Sequence, residues 1–265
     1  MKLSIIVPSI GRLLNREWLI RNADKYTIIL VNDGDKKDDF FDLGSQITVL
    51  NSSQRGFSRA CNIGLRHAQK SGHQSCLILN DDAFPIGDCV SILEKANHHN
   101  QSLFSPVIYE RNEKIYGYSK TSFGRVYPNN RYKEGSLLTG VCLYCPSWVR
   151  FDENYIHGFE DFDLSIRILQ SGLEVTIVPQ AHCFHLGGSS INRKSAEAQY
   201  GAAYGQFRLM GLRKMPFVLS LQLLQVISEG CSPARFNSVF RASVIYSKER
   251  ATSIASSRAG SSRAK

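Results

Sequence analysis

No stretch of this chain reaches the roughly 20 consecutive apolar residues that a bilayer-spanning helix needs. The longest candidate, MPFVLSLQLLQVIS from Met215 to Ser228, is shorter and is interrupted by Gln and Ser. A secretory leader is not expected either: MKLSIIVPSIGR has one early Lys, a short apolar run and Pro8 inside it. No compact basic motif with interleaved aromatics occurs, which argues against a nucleic-acid-binding protein and against nucleic acid as a partner. No internal repeat is visible. Disulfide scaffolding is also unsupported, because the seven cysteines are odd in number and scattered, which reads as reduced thiols in the cytoplasm. Cys142 and Cys145 form a C-x-x-C, with His182, Cys183 and His185 downstream, but LLTGVCLYCP reads as a strand rather than a zinc knuckle.

What is present is an ordinary globular composition, 43% hydrophobic and 21% charged over 265 residues, enough for one large domain with an appendage. The formal net charge is +9, which suits an anionic partner such as a phosphate or an acidic membrane face. Part of that surplus lies in KERATSIASSRAGSSRAK, whose composition predicts a basic, disordered tail over 249–265.

KLSIIVPS, YTIILVNDG, ITVLN and CLILNDD read as buried strands. RGFSRACNIGLRHAQKSG between the last two reads as a helix stopped by Gly72. Strands alternating with helices imply a parallel sheet covered on both faces. Ala83, Phe84 and Pro85 read as a turn that takes the chain away. The second half (QSLFSPVIYE, EKIYGYSK, SLLTGVCLYCP, LEVTIVPQAHCFHLGG) predicts a mixed or antiparallel region, with a helix over FEDFDLSIRILQSG. A long helix is expected over NRKSAEAQYGAAYGQFRLMG, then two more around Pro216 to Ser228 and Arg235 to Lys248. The resulting division is a domain over 1–212, a helical extension over 213–248 and the tail.

Polar residues gather where the first strands end: Ser9, Asn32 with Asp33, and Asn80-Asp81-Asp82. Open α/β sheets bind ligands beyond the carboxyl ends of their strands. Two adjacent carboxylates at a strand end repel unless a positive charge sits there. In an extended segment Asn80 and Asp82 would share a side, with Asp81 opposite, and two oxygen donors suit Mg²⁺ or Mn²⁺ carrying a diphosphate. Glu160, Asp161 and Asp163 open a helix, where negative charge is favoured in any case, but a carboxylate there is also placed to act as a general base. His182 and His185 face opposite ways in a strand, and the glycines after His185 make it the better site candidate.

The series SIIVPS, VNDG, RGFSRACNIG, LILNDDAF, TGVCLYCPSWVRFDENYIHGFEDFDLSIRI and HLGGSS, in this order, resembles the family-two glycosyltransferases, and most of all their bacterial rhamnosyltransferase-like branch. The resemblance covers about Lys2 to Ser190. It implies a GT-A fold, a Rossmann-like mixed sheet flanked by helices, and an inverting, metal-dependent transfer of a sugar. The donor would be a nucleoside-diphosphate sugar; the acceptor would be a glycan or a lipid-linked molecule in cell-surface polysaccharide synthesis. Carried over, it places Pro8, Ser9, Asp33, Arg55, Gly56, Asn62, Asn80 and Asp81 around the donor. Asp82 would bind the metal with Asn80 and His185, and Asp161 of the Glu160-Asp161 pair would be the catalytic base. Asn80 stands where the family's Asp-x-Asp motif begins with Asp, which leaves a weak or inactive sugar-nucleotide-binding relative as the alternative. A sugar-phosphate nucleotidyltransferase fits less well, because PSIGRLLN has only Gly11 where a Gly-rich loop is needed. The basic end and the apolar 215–228 segment suggest peripheral contact with the inner membrane face.

Overall fold

The computed structural model describes residues 3–34, 40, 43–96, 102–155, 158–187, 195–211, 214–230 and 232–261. The chain falls into two compact units. The first comprises residues 1–119, 126–156 and 160–190.

Its frame is a mixed sheet. Strands β1 (Ser4–Ser9), β2 (Thr27–Asn32), β3 (Ile47–Asn51) and β4 (Ser75–Leu79) are parallel. The apolar runs of β1, β2 and β4 are buried as expected. β3, at the sheet edge, is not the buried strand expected, since only Ile47 is buried and Thr48, Val49 and Asn51 are exposed. β5 (Ala83–Ile86), β6 (Leu103–Glu110), β7 (Glu113–Ile115), β10 (Cys142–Pro146) and β11 (Val175–His185) add the mixed half. The order is β3-β2-β1-β4-β10-β6-β11-β5, with β7 paired to β6. β8 (Tyr118–Lys120) and β9 (Val126–Pro128) form a separate two-stranded ribbon.

Successive strand residues feed opposite cores. Ile5, Val7, Ile28, Leu30, Leu77 and Leu79 pack with Leu19 of α1 (Arg16–Asn22) and with Val90 and Leu93 of α3 (Cys89–Ala96). Ile6, Ile29, Val31 and Ile78 pack with Ala60, Leu65 and Ala68 of α2 (Phe57–Lys70) and with Leu164 and Ile168 of α4 (Glu160–Gln170). Cys142 and Cys145 are divided between these two cores by β10 and cannot converge on one ion, as the strand reading requires. Among the described residues no helix is long and apolar enough to cross a membrane.

Two local expectations need correction. Ala83-Phe84-Pro85 is not a departing turn but part of β5, which pairs antiparallel with β11. Pro85 is tolerated there because β5 is an edge strand, where a missing N–H breaks no second ladder. Asn80 to Asp82 is not extended: the Ala83 N–H donates to Asn80 O at 3.1 Å and closes a turn. Asp81 and Asp82 therefore leave in directions set by the turn rather than by strand alternation.

The second unit comprises residues 120–125, 157–159 and 191–265. It holds α5 (Ala196–Met210), α6 (Met215–Ser228) and α7 (Pro233–Ser261), so α5, expected in the first domain, belongs here. Tyr200, Tyr204 and Phe207 pack on Val218, Val226, Val239 and Tyr246. A buried chain of amides links the helices: Gln199 donates to Gln222 at 2.7 Å, Gln222 donates to Gln206 at 2.7 Å, and Arg235 donates to Gln199 at 2.8 Å. The backbone is helical to Ser261, past the boundary at 248; residues 262–265 lie outside the described residues.

Candidate functional site

The parallel strands β1, β2 and β4 bring their polar ends to one rim. Ser9 donates its hydroxyl hydrogen to Asp81 Oδ2 at 2.6 Å, and the Gly11 N–H donates to Ser9 Oγ at 3.1 Å. Burial raises the Asp81 pKa, and adjacent Asp82 adds to this, while the Ser9 hydrogen bond opposes both. Pro8 lies buried in β1 beside Ser9. The turn carrying Asn80-Asp81-Asp82 is clamped by Asn15, fully buried, whose side-chain amide donates to Asn80 O at 2.9 Å and Ala83 O at 3.0 Å. The Asn15 N–H also donates to Asp81 O at 3.0 Å.

Asp33 follows β2 and accepts the Gly56 N–H on both carboxylate oxygens, at 3.1 and 2.8 Å. Burial raises its pKa, opposed first by this N–H. Gly56 and Arg55 thus stand beside Asp33 at the entry to α2, with Arg55 exposed. Asn62 is different. Its amide donates to Phe151 O and Glu153 Oε1, each at 2.9 Å, and its oxygen accepts the Phe151 N–H at 2.9 Å. That side chain, 2% exposed, fastens α2 to the segment after β10, so the structure places it in a scaffold contact.

Asp82 meets His185 at the end of β11, Oδ1 to Nε2, at 3.1 Å. The other ring nitrogen, Nδ1, lies 2.9 Å from Glu110 Oε2 at the end of β6. Glu110 is the residue that sequence reasoning missed; its only signal is an acid closing the apolar strand LFSPVIYE. Gly187 explains part of the HLGG motif: its φ is +67°, and a Cβ there would sit 2.6 Å from Glu110 Oε1. Burial alone would lower the His185 pKa, but hydrogen bonds to Asp82 and Glu110 outweigh it and raise the value to about 9. His185 therefore supplies a positive charge beside Asp82. His182 is turned elsewhere, 3.1 Å from Pro179 O and edge-on to the Tyr109 ring.

Asp161 lies in the first turn of α4. Its Oδ2 accepts the Gly140 N–H at 3.0 Å and its Oδ1 the Phe162 N–H at 2.8 Å. Burial raises its pKa; the two N–H groups and the Thr139 hydroxyl offset this in part. Gly140 packs closely on the Phe57 ring: a Cβ there would lie 2.8 Å from it and would have to displace the ring. Glu160 is buried, whereas Asp163 pairs with Arg167 at 2.7 Å and serves the helix surface. The two acidic regions share the rim: the Asn80 N–H donates to Val141 O at 2.9 Å, and Val141 directly follows the Gly140 that holds Asp161. Cys61, buried on α2, feels Glu160, Asp33 and Asp161 together, all of which add to the upward push of burial on its thiol.

The spacing of Asp82 and His185 suits part of the shell of a divalent cation. Adjacent ligands on an octahedral ion with bonds near 2.1 Å are about 3 Å apart, and Asp82 Oδ1 and His185 Nε2 are 3.1 Å apart. A ligating histidine usually gives its second N–H to a carboxylate, as His185 can to Glu110. Among the described residues no group of three His, Cys, Asp or Glu side chains is arranged to hold an ion, so the protein would supply part of the shell and ligand oxygens the rest.

A family profile described as Glycosyl transferase family 2 matches residues 3–154. A search of curated proteins by sequence finds no match. Among solved structures, GalNAc-T7, crystallised with UDP, GalNAc and Mn²⁺, superimposes with a TM-score of 0.58 at 14% identity. The match covers 77% of this chain and 47% of that one, so this chain spans about half its length. That likeness establishes the fold, the mixed sheet flanked by helices of the GT-A nucleotide-diphospho-sugar transferases. UTP-bound UGPase from Acinetobacter baumannii (13% identity, 84% and 99% covered, TM-score 0.43) and HddC from Yersinia pseudotuberculosis (10%, 70% and 93%, 0.43) superimpose less well.

Proposed function

Because the chain belongs to glycosyl transferase family 2, we propose that it moves a sugar from a nucleoside-diphosphate donor to an acceptor hydroxyl with inversion. The observation that carries this reading is the shared rim, with Asp82 facing His185 and Asp161 held by Gly140. Asp161 takes the proton of the attacking hydroxyl; its raised pKa brings its basicity closer to that task. Gly140 and Phe162 fix the direction of its carboxylate. Ser9, Asp33, Gly56 and Arg55 line the nucleotide side, and Asn15 holds the Asn80–Asp82 turn in shape. Asp82 and His185 would hold Mn²⁺ or Mg²⁺, with Asn80 beside them; a bound cation neutralises charge developing on the leaving diphosphate. Glu160 and Asp81 flank the reacting groups without an assigned proton transfer. Asn62 supports the loop from Phe151 to Glu153 and acts on the donor only through it.

A second reading has one observation behind it. The Glu110–His185–Asp82 arrangement already brings a cation to Asp82, so His185 could face the diphosphate itself and transfer would proceed without metal. A thermal-shift panel of nucleoside diphosphates with and without Mn²⁺ separates the two. Stabilisation by one nucleotide only with Mn²⁺ supports the metal reading, stabilisation by it without metal supports the second, and no stabilisation by any nucleotide contradicts both.

The acceptor is proposed to be a glycan or lipid-linked molecule of cell-surface polysaccharide synthesis, as in the rhamnosyltransferase-like branch, met at the inner membrane face. α6 carries no charged residue and leaves Phe217, Leu221, Leu224 and Ile227 exposed, and α7 carries Arg241, Lys248 and Arg250. Co-sedimentation with phosphatidylglycerol vesicles should fall in Leu224→Asp; unchanged sedimentation would refute this contact.

A further inference from the structure

A hollow of about 660 Å³ opens in the first unit between β7 and the segment from Tyr127 to Lys133, and none of the rim residues lines it. The volume lies within the usual range for small-molecule sites. Three cations, Lys114, Arg131 and Lys133, face it against one carboxylate, Glu113. Two tyrosines, Tyr127 and Tyr132, line it and are 43% and 51% exposed.

The wall is built rather than loose. Asn129, 9% exposed, accepts the Ser119 hydroxyl at 2.8 Å and donates to Ser136 Oγ at 2.9 Å. Lys133 donates to Ser119 Oγ at 3.0 Å, which ties one cation to that network. Lys114 lies over the Tyr109 ring, 5.4 Å from its centroid. The Tyr132 hydroxyl meets Thr176 Oγ1 at 3.3 Å. Two of the three cations and one tyrosine are thus placed before any ligand arrives, which lowers the ordering cost of binding.

The hollow is also tied by the chain to the rim. Glu113, at its edge, is paired across β6 and β7 with Glu110, the partner of His185. The lining segment ends at Lys133, seven residues before the Gly140 that holds Asp161.

We infer that this hollow binds an anionic oligosaccharide segment, a carboxylated or phosphorylated stretch of the acceptor or product glycan. Sugar rings present apolar C–H faces that lie against the exposed tyrosines, while Lys114, Arg131 and Lys133 meet the anionic groups. The choice of a glycan rests on the glycosyltransferase reading. The binding itself does not, and it needs neither donor nor metal.

The test is therefore made on the full chain without nucleotide or divalent ion, by calorimetric titration with hexagalacturonate. Saturable binding is expected, at least about tenfold weaker in Arg131→Ala/Lys133→Ala and weakened in Tyr132→Ala. Arg131→Ala alone, at an exposed position, guards against misfolding of the double variant and should show part of the loss. Neutral maltohexaose should bind more weakly than hexagalacturonate. No binding by the wild type, equal binding by the variants, or equally tight binding of a dT10 oligonucleotide would overturn the inference. Nucleotide-induced thermal shifts in the double variant should match the wild type, so failure of this site and failure of the proposed transfer are read separately.

Discussion

Asp82 faces a histidine side chain, His185, whereas Asp161 on the same rim faces two backbone N–H groups, those of Gly140 and Phe162. A side-chain cation can give way to another cation, and His185 keeps a carboxylate, Glu110, behind it to orient the ring when that happens. Backbone N–H groups cannot leave. They fix the Asp161 carboxylate while only partly offsetting its burial, so its pKa stays above the ordinary range. On the proposed function, the first environment exchanges charge and the second accepts a proton.

The sharpest way to break this contrast is Asp161→Asn. Transfer should fall about 10²–10⁴-fold, the range for loss of a general base, while nucleoside-diphosphate affinity measured by titration changes less than about twofold. A parallel collapse of nucleotide binding would show that the two carboxylates act as one. Glu110→Gln probes the other side: Mn²⁺ affinity should drop about 10–100-fold, the usual cost of losing such a partner. Unaltered Mn²⁺ binding in this variant would remove Glu110 from the site. The smallest effect concerns stability. The folded His185 value, about 9, lies above the ordinary 6.5, so its stabilisation is complete below pH 6.5 and is lost as pH rises through 9. The metal-free melting temperature should decline across that window, and Glu110→Gln should flatten the decline; an identical slope in both proteins would contradict it.

The parallel half was legible because its strands carry their own signal: apolar runs ending in Ser9, Asn32-Asp33 and Asn80-Asp82 describe a rim in the sequence itself. The start of α4 was legible for the same local reason. What stayed hidden depends on tertiary pairing. Glu110 has no sequence neighbour that betrays His185, which lies 75 positions away. Asn15, just before α1, makes no capping bond with its side chain and instead clamps the strand-tip turn, a contact with no local sequence signal. Asn62 looked like a donor contact because of its place in RGFSRACNIG, yet its amide is engaged by Phe151 and Glu153. Pro85 suggested a turn because proline breaks ladders, and only the strand order reveals that β5 is an edge.

We propose that a divalent cation, held by Asp82 and His185 and not by Asp161, joins the chain to its nucleotide. Electron paramagnetic resonance of Mn²⁺, titrated with nucleoside diphosphate into the wild type, Asp82→Asn and Asp161→Asn, tests it most directly. Mn²⁺ should become protein-bound in the wild type and in Asp161→Asn, and stay free in Asp82→Asn. Equal Mn²⁺ binding by all three proteins, or none by the wild type, would contradict it.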